Sequence, residues 1–522
     1  MYRWYGTRIG TGSARAVLRT GLLFVVLGLL LGACSRPPDN ALRFGLSEAP
    51  VNLDPRYATD AASARVNRLL YRRLVRFDAQ QRPVPELATW TRLTPVHYRF
   101  RLGREGRRFH DGSRLNASDV KATYQSVLDP ANGSPHRSTL TLIKRIEVVD
   151  PDTVDFYLSH PDLQFPGYLV IGILPARAIA AGRQFQDHPL GSGPFRFVAW
   201  PQTSRLILRR LSDGQRFVFL EVRDPTVRAL KLLRGEIDML QNDMPAELIA
   251  YLRGQRGVRI EEGPGSNFTY LGFNLKDPAT RKLAVRKAIA HAIDRRAIIR
   301  YVLAGAARPA NALLPPEHWA GDPGLRGYRY DPARARALLG QAGYGPDHRL
   351  ALSYKTSSDP LRVRLATVLQ SELGKVGIDV RLQSYDWGTF YGDIKAGRFQ
   401  MYSLSWVGIK TPDIFRYVFY STSVPPAGAN RGRFDDPQVD RLIDAAGRAD
   451  SLAEQAADYQ RVQARLLAVL PYVPLWYEDQ IYVCRSDIAG YRLANDGNYD
   501  GLRWVHRRTV SAGDAARAVA AQ

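Results

Sequence analysis

The sequence predicts an α/β protein of two or three domains set behind an export leader. Three observations point there. Strand-like alternation and helix-like periodicity take turns from Leu42 onward. The first 33 residues carry the charge and apolar pattern of a secretory signal. The roughly 490 residues beyond them are rich in aromatics and free of low-complexity tracts, enough chain for more than one packed core.

The leader comes first. Arg3, Arg8, Arg15 and Arg19 form a basic region without an acidic residue, and the apolar run Gly21 to Gly32 follows. That run is about 12 residues, short of the roughly 20 a membrane span needs, and fits the core of a signal peptide. It ends in Leu31-Gly32-Ala33-Cys34, which resembles a bacterial lipobox. Gly32 and Ala33 are small enough for a peptidase to cut before Cys34, whose thiol would take a diacylglyceryl group and whose freed amine would be acylated. More than one chain is needed because each buried CH₂ contributes about 0.8 kcal/mol and a single chain anchors only marginally. The expectation is therefore a leader over 1–33, a lipidated Cys34, a tether over 34–41 and an envelope location facing the periplasm. With Cys34 lipidated, Cys484 has no disulfide partner, and the fold rests on its core alone.

The formal charge of +23 invites a nucleic-acid reading. Taking away the leader's four arginines leaves +19, and clusters such as Arg68, Arg72, Arg73 and Arg76 are real. The basic residues are nonetheless spread along the whole chain and interleaved with acids, without a helix-turn-helix or a stacking signature. The expectation is no nucleic-acid partner and an arginine-rich solvated surface.

Individual elements follow in order. Leu42 to Leu46 alternates as a half-buried strand, and Asp60 to Leu74 reads as a helix. Tyr98 to Leu102 with Arg108 to His110 suggests a hairpin, with Asp111-Gly112 turning the chain. A helix starts near Asn116 to Val120, with Asn116 or Ser118 as its cap. Lys282 to Leu303, Pro332 to Gln341 and Val363 to Val376 carry helical spacing, and the Ala-rich end reads as a frayed tail. No internal repeat is found.

Enzymatic chemistry leaves no trace. The nine histidines are scattered, with no H-E-x-x-H pair and no closely spaced Cys/His set. Gly191-Ser192-Gly193 is not a nucleophile elbow, no phosphate-binding loop is present, and the carboxylate pairs Glu261-Glu262 and Asp435-Asp436 are sequence neighbours whose side chains diverge. No catalytic residue, cofactor or metal site is expected; a hydrolytic enzyme is the remote alternative.

An ordered set of segments resembles the family 5 extracytoplasmic solute-binding proteins, the substrate-binding lipoproteins of peptide and nickel ABC transporters. The set runs through Leu53-Asp54-Pro55 with Thr59-Asp60-Ala61, Val84 to Ala88 with Trp90, and Phe109-His110-Asp111-Gly112 with Ala117 to Val120. It continues through Gly191-Ser192-Gly193-Pro194-Phe195, Gly235-Glu236-Ile237-Asp238, Phe273-Asn274 and Ala292-Ile293-Asp294. Asp331-Pro332, Gly377-Ile378, Trp406, Asp440, Leu442-Ile443, Pro471 and Pro474-Leu475 close it, so that it spans roughly residues 42 to 506.

The resemblance implies a two-lobed periplasmic-binding-protein type II fold with an additional subdomain, its discontinuous lobes joined by crossing strands. The implied division is lobe I over 42–80, 188–268 and 483–506, the extra subdomain over 81–187, lobe II over 269–482 and a tail over 507–522. It further implies a monomer that closes over a small, peptide-like ligand by hinge motion and docks on ABC permease subunits. A receptor or sensor of the same fold for a chelated metal, haem or an oligosaccharide stands as the alternative. By analogy with the family, Ser35 after Cys34 is compatible with outer-membrane sorting, with the inner membrane left open.

In the family the segment around Trp406 lines the cleft, which makes Ser405, Trp406, Val407 and Gly408 candidate ligand residues, with Thr59, Tyr385 and Trp387 as further candidates. Peptide-binding members place an aspartate three residues after this tryptophan to hold the ligand's ammonium, because an unpaired buried charge is costly. Here that position is Ile409. Asp413, just beyond it, is the candidate substitute or a helix cap, while Lys410 reads as solvated or as a partner for an anionic group. Phe109 to Gly112 reads as a structural turn.

Overall fold

The computed structural model describes residues 1–2 and 40–508. Leader residues 3–33, Cys34 with the tether to residue 39, and tail residues 509–522 lie outside the described residues. By internal contacts the chain forms two units, Met1–Leu42 and Arg43–Gln522. Of the first, only Met1, Tyr2 and residues 40–42 are described, Leu42 opening a strand.

The second unit is organised on two long antiparallel strands, Val258–Phe273 and Tyr472–Arg485, at the centre of an 11-stranded mixed sheet. The first part of Val258–Phe273 meets the end of Tyr472–Arg485, Val258 with Arg485 and Gly263 with Gln480; after a register shift, Asn267 pairs with Glu478 and Gly272 with Tyr472. Met239–Gln241, Leu42–Leu46, Arg216–Glu221, Arg205–Arg210 and Phe195–Gln202 extend the sheet on one side. Met401–Trp406, Leu350–Ser357 and Ile378–Tyr385 extend it on the other. The long strands alternate sides: Phe268, Tyr270, Tyr472 and Tyr477 enter one buried cluster, while Leu271, Phe273, Val473 and Trp476 enter another. Burial on both faces goes with the apolar stretches at residues 268–273 and 472–477, whereas residues 258–264 are polar and only partly buried. The boundaries expected at 268/269 and 482/483 fall inside these two strands.

A separate four-stranded antiparallel sheet runs Ala88–Thr94, His97–Leu102, Thr153–Leu158, Ile143–Asp150 in spatial order. Tyr98 and Phe100 point inward with Phe156 and Phe165, whereas Arg99 points outward and grips Asp155 with two hydrogen bonds of 2.8 Å. The helix Ala117–Leu128 covers this core, capped by Asn116 with Asp119 reciprocating.

Some expectations are corrected. His97–Leu102 does not pair with Arg108–His110: both its edges are taken, by Ala88–Thr94 and Thr153–Leu158. Residues 108–114 instead close a turn of their own, with the Phe109 amide donating to Ser113 and Gly112 in the left-handed region at φ 90°. The expected helix over 282–303 is two, Leu283–Ala292 and Arg295–Tyr301, because Asp294 caps the second by accepting from the Ala297 amide at 3.0 Å. The helix expected from Asp60 spans Ala61–Leu70, where Gly191 and Gly193 meet its end. That expected over 363–376 starts earlier, at Pro360 behind the Asp359 cap, and runs to Gly374.

The 191–195 segment shows why glycine stands there. The Gly193 amide donates to Leu70 O at 2.8 Å, and a Cβ on Gly193 would lie 2.3 Å from Leu69 O, on Gly191 2.0 Å from Leu70 O. His110 seals the contact, its amide bonding to Gly191 O and its ring Nε2 lying 3.0 Å from Gly193 O. Gly193→Ala is expected to lower stability by at least ~2 kcal/mol in urea unfolding, since backbone rather than a flexible side chain must move. Gly340→Ala, in the last turn of the helix Pro332–Gln341 with nothing within 4 Å of its Cβ, is the control and should be neutral or stabilising by up to ~1 kcal/mol.

Candidate functional site

The strand Met401–Trp406 delivers the chain to an extended segment, Val407 to Asp413, before the helix Ile414–Phe419. Gly408 takes a left-handed conformation, φ 72°, which turns this segment along a cavity wall. The cavity measures about 1590 Å³, larger than the roughly 300–1,000 Å³ of a typical small-molecule site. Trp406, Val407, Gly408, Ile409, Lys410 and Asp413 form one wall; His136, Asp162, Tyr168 and Ile171, beside or beyond the four-stranded sheet, form the other.

The polar centre of this cavity is a buried pair of carboxylates bridged by a phenol. The Tyr168 hydroxyl contacts Asp162 Oδ2 at 3.1 Å and, more closely, Asp413 Oδ2. Burial, then the neighbouring Asp162, push Asp413 up to about 6, and burial also raises Asp162. Asp413 stands at the N-cap position of its helix, yet its side chain makes no capping bond; the phenol takes it instead. Nearby, Gln164 donates to Gln455 across the same seam.

Ile409 is buried, 9% exposed, and borders a second space of only about 30 Å³ shared with Gln81, His318 and Asn495. That is room for a water and little more. Direct bonds close this side: the Trp319 amide donates to Gln80 O at 2.9 Å, and His318 Nε2 lies 3.1 Å from Lys410 O. Burial lowers His318 to about 4, so its ring stays neutral. Lys410 is not solvated. Its ammonium bonds Asp496 Oδ2 at 2.8 Å beside the Phe77 ring. Burial lowers the lysine; it would raise Asp496, but Lys410 and then Arg68 hold that carboxyl well below the ordinary range.

Of the residues singled out in the sequence, Trp406, Val407, Gly408 and Asp413 meet at the cavity. Ser405 turns away, its hydroxyl 2.6 Å from that of Thr269, which also reaches Glu478 at 3.0 Å. Thr59 is exposed ahead of the helix Ala61–Leu70 and does not line the cavity. Tyr385 packs partly buried against the lobe core with the Lys355 ammonium 5.2 Å over its ring. Trp387 opens the helix Trp387–Ala396, 58% exposed and stacked on Tyr391. Tyr168 and Asp162 escape sequence reasoning, since Tyr168 precedes Asp413 by 245 residues and no motif marks it. Among the described residues, no group of three or more His, Cys, Asp or Glu comes together as a metal site, and no helix is long and apolar enough to cross a membrane.

With this geometry in hand, known proteins can be compared. The family model for bacterial extracellular solute-binding proteins, family 5 Middle, matches residues 82–426. The chain belongs to this family. Di/tripeptide-binding protein 2 of Pseudomonas aeruginosa is 29% identical over 520 residues, 92% of this chain and 97% of that protein. The glutathione-binding protein of Shigella boydii is 26% identical, covering 93% and 98%. Among solved structures, a dipeptide-binding protein from Pseudoalteromonas in complex with Met-Leu is 25% identical with a TM-score of 0.73, over 90% of this chain and all of that one. HbpA2 of Haemophilus parasuis, at 23% identity, superposes with a TM-score of 0.79 over the same shares. The solute-binding protein thus has the two-lobed, type II periplasmic-binding fold that its α/β alternation and family resemblance led us to expect.

The Lys410–Asp496 pair supplies a test of the closed seam. Lys410→Met leaves Asp496 largely buried without its ammonium and is expected to cost about 2 kcal/mol, discounted from the usual buried-pair penalty because Lys410 is a quarter exposed. Thermal unfolding of Lys410→Met, with Lys410→Met/Asp496→Leu recovering most of the loss, is the measurement.

Proposed function

We propose that this solute-binding protein captures a short peptide in the 1590 Å³ cavity and hands it, as a monomer, to the permease of an ABC importer while tethered to the membrane through lipidated Cys34. The observation that carries the reading is the Asp413–Tyr168–Asp162 group on the cavity wall. No lysine or arginine forms an ion pair with Asp413 among the described residues, so an incoming ammonium would supply the missing countercharge. That would compensate for Ile409 at the position where peptide-binding members hold an aspartate. Relatives named for di/tripeptides and for glutathione over more than nine-tenths of the chain support the ligand class. Backbone at the end of Met401–Trp406 could pair with an extended peptide, as edge strands do. In this reading the lobes close about the two long strands, where their register breaks between Gly263 and Asn267.

Native and denaturing mass spectrometry of protein purified without refolding tests the ligand. A ladder of short peptides released on denaturation is expected; a single chelate, haem or sugar would overturn the peptide reading. Asp413→Asn should weaken peptide binding at least tenfold, a loss of about 1.4 kcal/mol or more. Wild-type affinity should also fall as pH drops through about 6, where Asp413 takes its proton.

Asp413 gives a stability prediction of opposite sense. Its folded value lies above its unfolded one, so the folded state binds the proton more tightly and stability falls as pH rises from about 4 to 6. Asp413→Asn removes that penalty and is expected to raise stability by about 1–2 kcal/mol at pH 7.5, with no gain below about pH 4, in paired thermal melts.

Anchoring is checked separately: Cys34→Ser should release the protein from membranes into the soluble periplasmic fraction.

A further inference from the structure

Arg431 is buried, 7% exposed, and is held by phenols rather than by an acid. Its two terminal nitrogens donate to Tyr270 and Tyr391 hydroxyls at 3.0 and 3.1 Å. No carboxylate pairs with it among the described residues. A buried guanidinium without a countercharge is costly unless its donors are satisfied and its face is covered. Here the covering is aromatic: its carbon lies 4.8 Å from the Trp406 ring centroid and 5.4 Å from that of Tyr391. The stack continues on one side to Trp387, parallel to Tyr391 at 5.3 Å, and on the other to the exposed Tyr417, edge-on to Trp406 at 6.2 Å. Trp406 therefore stands between a fixed cation and the main cavity, bordering both that cavity and the small pocket that holds Arg431.

Two consequences follow from ring electrostatics. A guanidinium pinned by two hydroxyls fixes the indole it stacks on, because stacking on a planar fork fixes tilt as well as distance. A cation on one side of a ring also spends the ring's attraction for a second cation and repels it directly. We propose that Arg431 is a positioning and specificity-determining residue: it sets Trp406 in the cavity wall and makes that stretch of wall accept aromatic or anionic groups and refuse cationic ones. The cavity is then divided by charge, with Asp413 and Asp162 favouring a ligand's ammonium and Trp406 favouring an aromatic side chain or the carboxylate end. The selectivity for a ligand rests on the cavity being the binding chamber; the state of Trp406 does not.

The test separates the two. Trp406 emission is isolated among the eight tryptophans by difference against Trp406→Phe, and quenched with iodide, with caesium and with neutral acrylamide. Iodide should outperform caesium by about threefold or more in the wild type, and Arg431→Met should bring the ratio to about one or below, given the opposite charge preference of a bare ring. Arg431→Lys, which keeps charge but loses the fork, should keep the iodide preference while acrylamide quenching rises about twofold as the indole loosens. A wild-type preference for caesium, or a ratio unmoved by Arg431→Met, overturns the proposal. If Arg431→Met fails to fold, Tyr391→Phe removes one anchor and leaves the ring: increased acrylamide access to Trp406 supports the bracing, and unchanged access overturns it. Thermal stabilisation by Ala-Phe and Ala-Lys then reads selectivity. Wild type should favour Ala-Phe about tenfold, and Arg431→Met or, if needed, Arg431→Lys should narrow the gap; a preference for Ala-Lys sinks the selectivity. If neither dipeptide stabilises the wild type, the peptide reading fails, while the quenching ratio still decides the role of Arg431.

Discussion

Everything in the described fold hangs on the ladder between Val258–Phe273 and Tyr472–Arg485. Where the two backbones are buried on both faces, over residues 268–273 and 472–477, their amides and carbonyls have no route to water, so each strand satisfies the other. The ladder shifts register between Gly263 and Asn267 and again between Thr269 and Tyr270, and at the first of these breaks Ser266 and Gln480 bond to Asn495. Every other strand of the large sheet takes its position from this pair: Met239–Gln241 on one flank and Met401–Trp406 on the other. The cavity segment from Trp406 onward is aimed by that register, since Trp406 pairs with Phe268 at the end of its strand.

Around the seam the chain buries charge in three different ways, and each has its own physical outcome. Lys410 and Asp496 neutralise each other and close the side of the segment that Ile409 faces. Asp413 shares a phenol with a second acid and stays poised near neutrality. Arg431 rests among phenols and π faces, with no acid paired to it among the described residues. Burial raises the stakes of every one of these charges: one is closed off by its own ion pair, one has no ion-pair partner among the described residues, and one is covered by rings.

Local signals were legible wherever the physics was local. The Asn116 cap, the helix Pro332–Gln341 and the strand Leu42–Leu46 sit where the sequence put them, because caps, periods and prolines act within a few residues. The hairpin at 98–110 misled because pairing partners are set by tertiary competition, and the break at Ile293-Asp294 was hidden by apolar spacing that runs through it. The candidate site divides in the same way. Trp406 to Gly408 and Asp413 are contiguous and could be named; Tyr168, Asp162 and Asp496 reach them only through the fold, and Arg431 showed no pattern of its own. Tyr385 and Trp387 were near in sequence and still look elsewhere, since a helix cap at Asp386 turns them onto another surface.

The strand that holds Phe44 and Gly45 pairs with Met239 and Leu240, whose own outer partners are Val483 and Cys484, and Phe44 rests against Tyr499 at 4.9 Å. Its neighbours thus arrive from the middle and the far end of the chain. Such high contact order makes folding slow and late, because loop-closure entropy is spent before the contacts return anything. For most proteins this is a hazard, exposing unpaired edges to aggregation. A chain threaded across a membrane before it folds, as the export leader read in the sequence would require, turns the same delay to use: it stays open for translocation until the strand Tyr472–Arg485 has followed it through.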